Sequence, residues 1–110
     1  MSEVSTQPGK RIRIFIKEIE SWHGKPLYRA IFDLAAQNHV LGVTIQRGIE
    51  GFGPEHHLST QRLVDIADDL PIIVEIIDTT QHVEPLLAQL DTLVQRGVIT
   101  VTPVDIMRGR

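Results

Sequence analysis

Apolar residues in the first half of the chain change from the spacing of a strand to that of a helix and back. In residues 12–16 an isoleucine occupies every second position, which is the period of a strand with one buried face. In residues 27–35 the apolar positions recur every three or four residues, which predicts an amphipathic helix with Pro26 as its first residue. Alternation returns in residues 43–49 and predicts a second strand, with Gly42 marking the exit from the helix.

The second half of the chain repeats this order of strand, helix and strand. Residues 70–78 are apolar on both faces and predict the most hydrophobic strand of the chain. Residues 83–94 have helical spacing, with Pro85 expected in or near the first turn and Gly97 ending the helix. Residues 98–102 predict a fourth strand, and residues 104–107 are a candidate for its continuation past Pro103 as an edge strand.

The predicted order β-α-β-β-α-β defines the fold class. It is α+β and ferredoxin-like, with a four-stranded antiparallel sheet and two helices on one face. Two helices cover one face of such a sheet, yet Phe15, Ile73 and Ile77 are expected on the other face. An uncovered apolar face in a chain of this size predicts self-association.

Length, composition and charge exclude several classes of protein. The 110 residues fit one domain, expected over residues 10–107, with a disordered tail at residues 1–9 and a C-terminal tail at residues 108–110. The absence of cysteine excludes a disulfide scaffold and a thiol nucleophile. A net charge of −3 argues against nucleic acid as a partner. We find no secretory signal and no apolar run long enough to span a membrane, so we expect a cytoplasmic protein.

Residues 22–28 break a local rule at the start of the first predicted helix. With Pro26 as the first helical residue, Lys25 would occupy the N-cap, where Ser, Thr, Asp and Asn are preferred and the helix dipole disfavours a cation. His23, Gly24 and Lys25, together with the free N–H groups of the helix, are therefore candidates to hold a carboxylate or phosphate. The alternative is that this loop only packs, with Lys25 in solvent.

Three glycines and a proline lie close together after the second predicted strand. The backbone N–H groups of Gly48, Gly51 and Gly53 are candidates to cradle a polar group of a ligand, with Glu50 and Phe52 beside them. The segment matches neither the phosphate-loop motif nor the dinucleotide fingerprint. A bulged hairpin arm is the structural alternative.

The polar residues 52–69 are expected to form a long functional loop, with a helical turn near residues 61–66. Glu55, His56 and His57 lie within it and offer ligands to a divalent metal, although a stable site usually needs three or four convergent ligands. No nucleophile-elbow pattern surrounds the serine or threonine of this loop. The sequence therefore favours a protein that is not an enzyme, with a metal-handling protein and a hydrolase as alternatives.

Three motifs in a fixed order make the chain resemble a known family: HGKPLY at residues 23–28, RGIEGFG at residues 47–53 and DLPIIVEIID at residues 69–78. Together they resemble domain-of-unknown-function family 190, a branch of the PII-like superfamily. The resemblance implies a homotrimer with sheets packed around the threefold axis, ligand clefts between subunits, and a signalling loop that reaches partners. Members of this family are often encoded beside fluoride-channel genes, which implies a role in ion homeostasis and a membrane transporter or channel as partner.

Two departures from well-studied PII proteins limit what the resemblance implies. The link at residues 95–98 is too short to wrap the phosphates of ATP. Tyr28 on the first helix is the only tyrosine, so the signalling loop has none to be uridylylated. We interpret the chain as a non-enzymatic sensor of a small anionic ligand, with a nucleotide as one candidate and no cofactor assigned. Lys25 and Arg47 are the cations expected to meet that ligand, and a trimer handling divalent metals is the first alternative.

Overall fold

Four long strands, four two-residue strands and two helices make up the described part of the chain, residues 4–53, 59–60 and 69–109 of a computed structural model. In chain order they are β1 (Gln7–Lys17), β2 (Ser21–Trp22), β3 (Lys25–Pro26), α1 (Leu27–Gln37), β4 (Gly42–Arg47), β5 (Glu50–Gly51), β6 (Ser59–Thr60), β7 (Pro71–Thr79), α2 (Thr80–Leu93) and β8 (Val98–Ile106). Neither of these two helices is long and apolar enough to cross a membrane.

The long strands form one antiparallel sheet in the order β4-β7-β1-β8. Strands β1 and β7 are central, and each half of the chain supplies one central and one edge strand. This is the predicted ferredoxin-like arrangement, and the prediction of the fold class is confirmed. Pro103 lies within β8, which is tolerated because β8 is an edge strand and one of its sides needs no ladder hydrogen bonds.

The core lies between the helices and one face of the sheet. Antiparallel register places Ile12 opposite Ile76 and Ile14 opposite Val74, and all four side chains are fully buried. The helices close this layer with apolar side chains, of which Ile31, Val83, Leu86 and Leu90 are at most 1% exposed. The alternating and helical periods of the sequence therefore predicted these core-facing residues correctly. The second predicted strand was too long, because β4 ends at Arg47 and Ile49 beyond it is 73% exposed.

Strand β1 begins earlier than the sequence predicted. It starts at Gln7, so residues 7–9 belong to the sheet and not to a disordered tail. Gly9 lies opposite Thr79 on one side and Val104 on the other, at a point where the backbones approach closely. The approach is so close that a Cβ on Gly9 would lie 2.6 Å from the carbonyl oxygen of Asp78.

Helix α2 also differs from the prediction at both ends. It begins at Thr80, three residues before the predicted start, and Pro85 lies in its second turn, next to the first. It ends at Leu93, whereas Gly97 follows in the link to β8. Gly97 packs against β1, since a Cβ there would lie 2.6 Å from the carbonyl oxygen of Phe15. The glycine thus permits a close backbone approach and does not terminate the helix.

A buried acid joins strand β7 to the start of α2. Asp78 is 3% exposed and accepts a hydrogen bond of 2.7 Å from the backbone N–H of Thr79. Its second carboxylate oxygen contacts Nδ1 of His82, one helical turn further on. The carboxylate is therefore satisfied by the N-terminal turn of the helix, as burial of such a group requires.

Just after helix α1, a histidine has a backbone conformation that usually selects glycine. His39 has φ 53°, and the N–H of Val40 donates to the carbonyl oxygen of Ala35 while that of His39 donates to Ala36. This is the pattern of a Schellman motif. The predicted exit residue, Gly42, is instead the first residue of β4.

The second face of the sheet is covered by neither helix. Phe15 is 38% exposed there, and Ile73 and Ile77 are half-buried. Charged residues share this face, because Arg13 lies directly opposite Glu75 in the register of β1 and β7. The predicted uncovered face exists, but it is a mixture of apolar and charged side chains.

We predict that Gly9→Ala lowers the free energy of unfolding by about 1–3 kcal/mol, because the added methyl group meets backbone that cannot move freely. Gly42→Ala is the matched control, since a Cβ there has no neighbour within 4 Å. Urea denaturation of both variants measures the difference. Equal stability of the two would contradict the inclusion of residues 7–9 in the sheet.

Candidate functional site

The glycine-rich segment 48–53, called the arm below, folds over one end of the sheet and encloses a cleft of about 270 Å³. All of the arm except Ile49 contributes to the lining of the cleft. Among the described residues, the rest comes from the end of β1, Glu20 in the turn that follows it, the start of β7 and the link after α2. The cleft therefore unites segments that are far apart in the sequence.

The base of the arm is fixed by close backbone packing. The N–H of Gly48 donates a 2.7 Å hydrogen bond to the carbonyl oxygen of Pro71. A Cβ on Gly48 would lie 2.8 Å from Cγ of Pro71, so the position needs glycine. The N–H of Gly48 is therefore used within the protein and does not form part of the expected cradle.

The arm itself forms a short ladder. Glu50 lies opposite Thr60 and Gly51 opposite Ser59 in the two-stranded sheet of β5 and β6. This agrees with the hairpin arm that was the structural alternative for these residues. It also shows that part of the predicted loop at residues 52–69 is paired with the arm.

Two cations line the cleft, Lys17 at the end of β1 and Arg96 in the link after α2. Within the described part of the chain, neither side chain has an ion-pair partner. Two carboxylates, Glu20 and Glu50, line the same cleft, and Oε1 of Glu20 accepts a 3.0 Å hydrogen bond from the backbone N–H of Lys17. The cleft thus offers both positive charge and hydrogen-bond acceptors.

An aromatic side chain on the arm completes the cleft. Phe52 is 63% exposed and lies in the lining beside Gly53. An exposed aromatic ring in the lining of a cleft provides a surface on which a planar group can stack. The arrangement suits a ligand with an anionic part and a flat part.

Arg47 does not line the cleft, although the sequence suggested it as a cation of the site. Its guanidinium forms an ion pair with Glu18, in the turn after β1. This pair links the end of β4 to the end of β1, next to the base of the arm. Arg47 therefore pairs with a residue outside the arm, while Lys17 and Arg96 line the cleft.

The predicted N-cap position of Lys25 is wrong. The N-cap of α1 is Pro26, and the N–H of Leu27 donates to the carbonyl oxygen of Glu20 at 2.8 Å. Lys25 lies one residue earlier in β3, and its Nζ is 2.8 Å from Oδ2 of Asp33. The cation therefore has a partner on the helix that follows it and lies at no cap.

His23 and Gly24 form the turn between β2 and β3. Both have positive φ values, 49° and 84°, as a tight two-residue hairpin turn requires. The His23 ring lies 4.3 Å from that of Trp22, centroid to centroid. The first half of the HGKPLY motif thus builds a hairpin, and none of His23, Gly24 and Lys25 lines the cleft under the arm.

The proposed metal ligands Glu55, His56 and His57 lie outside the described residues, as does the predicted helical turn near residues 61–66. In the described ranges, no group of three or more His, Asp or Glu side chains is placed to hold a metal ion.

Solved structures with this architecture define the class of fold. A nitrogen regulatory PII-like protein from Thiomonas intermedia K12, bound to ADP, AMP and bicarbonate, has a TM-score of 0.70 at 24% identity and covers 96% of this chain and 94% of its own. A putative PII-like signaling protein from Thermus thermophilus has a TM-score of 0.65 at 18% identity, covering 94% of each chain. The chain therefore has a PII-like fold.

The sequence comparisons define the family. The model of DUF190, described as "Uncharacterized ACR, COG1993", matches residues 9–106. A UPF0166 protein of Aquifex aeolicus is 32% identical over 98 residues, which is 89% of this chain and 92% of the relative. A second UPF0166 protein, from Methanocaldococcus jannaschii, is 23% identical over 91% of this chain and 93% of its own. The chain belongs to the DUF190 family, as its three motifs indicated.

Sequence reasoning missed the two cations of the cleft. Lys17 lies at the end of a predicted strand, but the apolar pattern did not show which residues lie next to that end. Arg96 lies in the link between α2 and β8, which was interpreted as too short to bind phosphate. The signal that could have found them is topological, because the end of β1, the start of β7 and the link before β8 meet at one end of this fold. The arm residues were found because glycine and proline mark the backbone directly.

We predict that Lys25 and Asp33 are coupled by about 0.2–1 kcal/mol in a double-mutant cycle of Lys25→Ala and Asp33→Ala. The value is small because the two side chains are 46% and 37% exposed. It should fall further as salt is raised. Thermal or urea unfolding of the four proteins gives the coupling, and a value of zero at low salt would show that the pair does not stabilise the hairpin against α1.

Proposed function

We propose that this protein is a non-enzymatic PII-like sensor that binds a small anionic ligand, an adenine nucleotide, in the cleft under the arm. The observation that carries the proposal is the pair of cations without ion-pair partners among the described residues, Lys17 and Arg96, in a cleft whose lining includes the ring of Phe52. A phosphate group requires cationic donors, and an adenine ring requires a stacking surface.

The carboxylates of the cleft restrict the kind of ligand that it can bind. Glu20 and Glu50 oppose a bare polyanion in the cleft that Lys17 and Arg96 also line. The same carboxylates accept hydrogen bonds from ribose hydroxyls or an exocyclic amine. A cleft that carries both positive and negative side chains favours a nucleotide with few phosphates over inorganic polyphosphate.

The nucleotides in the Thiomonas protein support the ligand class. At 24% identity that likeness concerns the fold, and the ligand is carried over here as part of the proposal. In our proposal the ligand binds against the arm and shifts the arm's conformational population. A protein partner, a membrane transporter or channel among the candidates, then responds to the changed arm in the cytoplasm.

We expect isothermal titration of the protein with ADP and with AMP to show binding that Lys17→Gln and Arg96→Gln each weaken by about tenfold to a hundredfold. Each variant removes one charge-assisted hydrogen bond, worth about 1.5–3 kcal/mol. Lys25→Gln is the matched control, because it removes a lysine of similar type that lines a different groove.

Three results would count against this proposal. They are no heat of binding with the parent protein, equal affinity in the two cleft variants, and a loss in Lys25→Gln as large as in Lys17→Gln. Release of inorganic phosphate or AMP from ADP during the titration would instead indicate an enzyme.

We further propose that the protein acts as a homotrimer that buries the sheet face uncovered by the helices. Phe15, Ile73 and Ile77 are the apolar residues that support this. A cleft at the end of the sheet would then lie near the boundary between subunits, where a neighbouring copy completes it.

Static light scattering should give three times the chain mass of 12.4 kDa for the parent protein. Ile77→Lys adds a charge to the half-buried face and should shift the mass toward that of the monomer. Ile49→Lys is the control, since Ile49 is 73% exposed and lies outside the long strands. A monomeric parent protein at micromolar concentration would contradict the trimer.

A further inference from the structure

A second pocket lies beside the cleft under the arm, and we call it the helix-side pocket. Its volume is about 430 Å³, within the range of about 300–1,000 Å³ that is typical of small-molecule sites. Its lining comes from the turn after β1, from β2, from the first residue of α1, and from the end of α2 with the link that follows. Both helices contribute to it, so it lies on the helix-covered side of the sheet, away from the face that the proposed homotrimer buries.

Four apolar side chains line the helix-side pocket, namely Ile19, Trp22, Leu27 and Leu93. Leu27 is 3% exposed and belongs to the core, whereas Ile19 is 69% exposed. The apolar lining therefore extends from the core to the surface. An apolar group of a ligand that enters the pocket leaves water for this lining, which favours binding.

The charged residues among those that line the pocket are one carboxylate, Glu20, and one guanidinium, Arg96. In the described part of the chain, no ion pair joins them to each other or to another residue. Arg96 is exposed and Glu20 is half-buried, so both are accessible to a ligand from solvent. A pocket with one unpaired charge of each sign favours a ligand that itself carries both signs.

The carboxylate of Glu20 is held in place by the backbone. Its Oε1 accepts a 3.0 Å hydrogen bond from the N–H of Lys17. The N–H of Glu20 donates to the carbonyl oxygen of Lys17 at 3.2 Å, and its carbonyl oxygen accepts from the N–H of Leu27 at 2.8 Å. The carboxylate has further lone pairs for a ligand, and its fixed position lowers the entropic cost of binding one.

We propose that the helix-side pocket binds a free amino acid with an apolar side chain. The ammonium group donates to Glu20, and the carboxylate accepts paired N–H donors from Arg96. The side chain packs on the apolar lining, and Ser21 and Gln95 add a hydroxyl and an amide for hydrogen bonds. Such a ligand compensates both charges of the pocket, whereas a simple acid meets Glu20 and a simple amine meets Arg96 as a like charge.

The test compares L-leucine with three compounds that each lack one of its recognised groups. Isocaproate lacks the amino group, isoamylamine lacks the carboxylate, and glycine lacks the apolar side chain. Binding is measured by calorimetry and by the fluorescence of Trp22, the only tryptophan of the chain. We expect saturable binding of L-leucine and an affinity about tenfold or more lower for each of the other three.

No saturable binding of L-leucine, or equal affinity for L-leucine and isocaproate, would overturn the proposal. All of these titrations are made without nucleotide, so their outcome does not depend on the proposed function.

Arg96→Gln should weaken binding of L-leucine by about tenfold to a hundredfold. Arg29→Gln is the matched control, because Arg29 is an exposed arginine that lies over the ring of Phe32 and lines neither the helix-side pocket nor the cleft. An equal loss in both variants would reject the role of Arg96 and the proposal with it. Circular dichroism checks that each variant is folded.

Glu20→Gln gives responses of opposite sign for two ligands. It should weaken L-leucine by about tenfold, because the ammonium group loses its carboxylate, and strengthen isocaproate, because a like charge is removed. Glutamine keeps an oxygen to accept the backbone N–H of Lys17. A variant that only damaged the pocket would weaken both ligands, and that result would contradict the proposal.

Two further variants separate the helix-side pocket from the cleft, since Glu20 and Arg96 line both. Ile19 lines the helix-side pocket alone of the two, and Lys17 lines the cleft alone. Ile19→Gln should weaken L-leucine by about fivefold through lost apolar contact, and Lys17→Gln should leave its affinity unchanged. The reverse pattern would place the amino acid in the cleft under the arm and reject the helix-side pocket as its site.

Discussion

The pairing of β1 with β7 is the constraint on which the rest of this structure depends. Both strands are central, and their register puts Ile12, Ile14 and Ile16 on the same face as Ile72, Val74 and Ile76. A slip by one residue would turn this whole apolar set to the opposite face. The helices, the cleft at one end and the charged residues on the other face all take their positions from that one register.

The fold was predictable from the sequence because the apolar pattern of its two central strands is clear. Strict alternation in residues 12–16 and the apolar run at residues 70–78 identify strands that must be buried on at least one side. The element ends were less predictable. Pro26 suits both the N-cap and the first helical turn by its fixed φ, and the pattern alone does not decide between them. Strands of two residues, such as β2 and β3, are too short to show any period.

The candidate site was predicted in part, and the reason is physical. Gly48 and Gly53 could be selected from the sequence because a glycine often indicates that the backbone at its own position must bend or be approached closely. Lys17 and Arg96 could not be selected in this way, because lysine and arginine occur on the surface of most proteins whether or not they bind a ligand. They become noticeable only when the sheet order brings the end of β1 and the link after α2 under the arm. Sequence motifs therefore located the scaffold of the cleft better than its charges.

The contact between Gly48 and Pro71 has a consequence for how relatives of this protein can diverge. It anchors the arm where it leaves β4, and the ladder of β5 with β6 is a sheet of its own, separate from the four-stranded one. Insertions, deletions and substitutions between Gly48 and Pro71 leave the register of β1 and β7 unchanged. Natural selection can therefore change the segment between Gly48 and Pro71 for a new recognition task while the four-stranded sheet keeps its stability. Sequence differences within the family should concentrate in that segment.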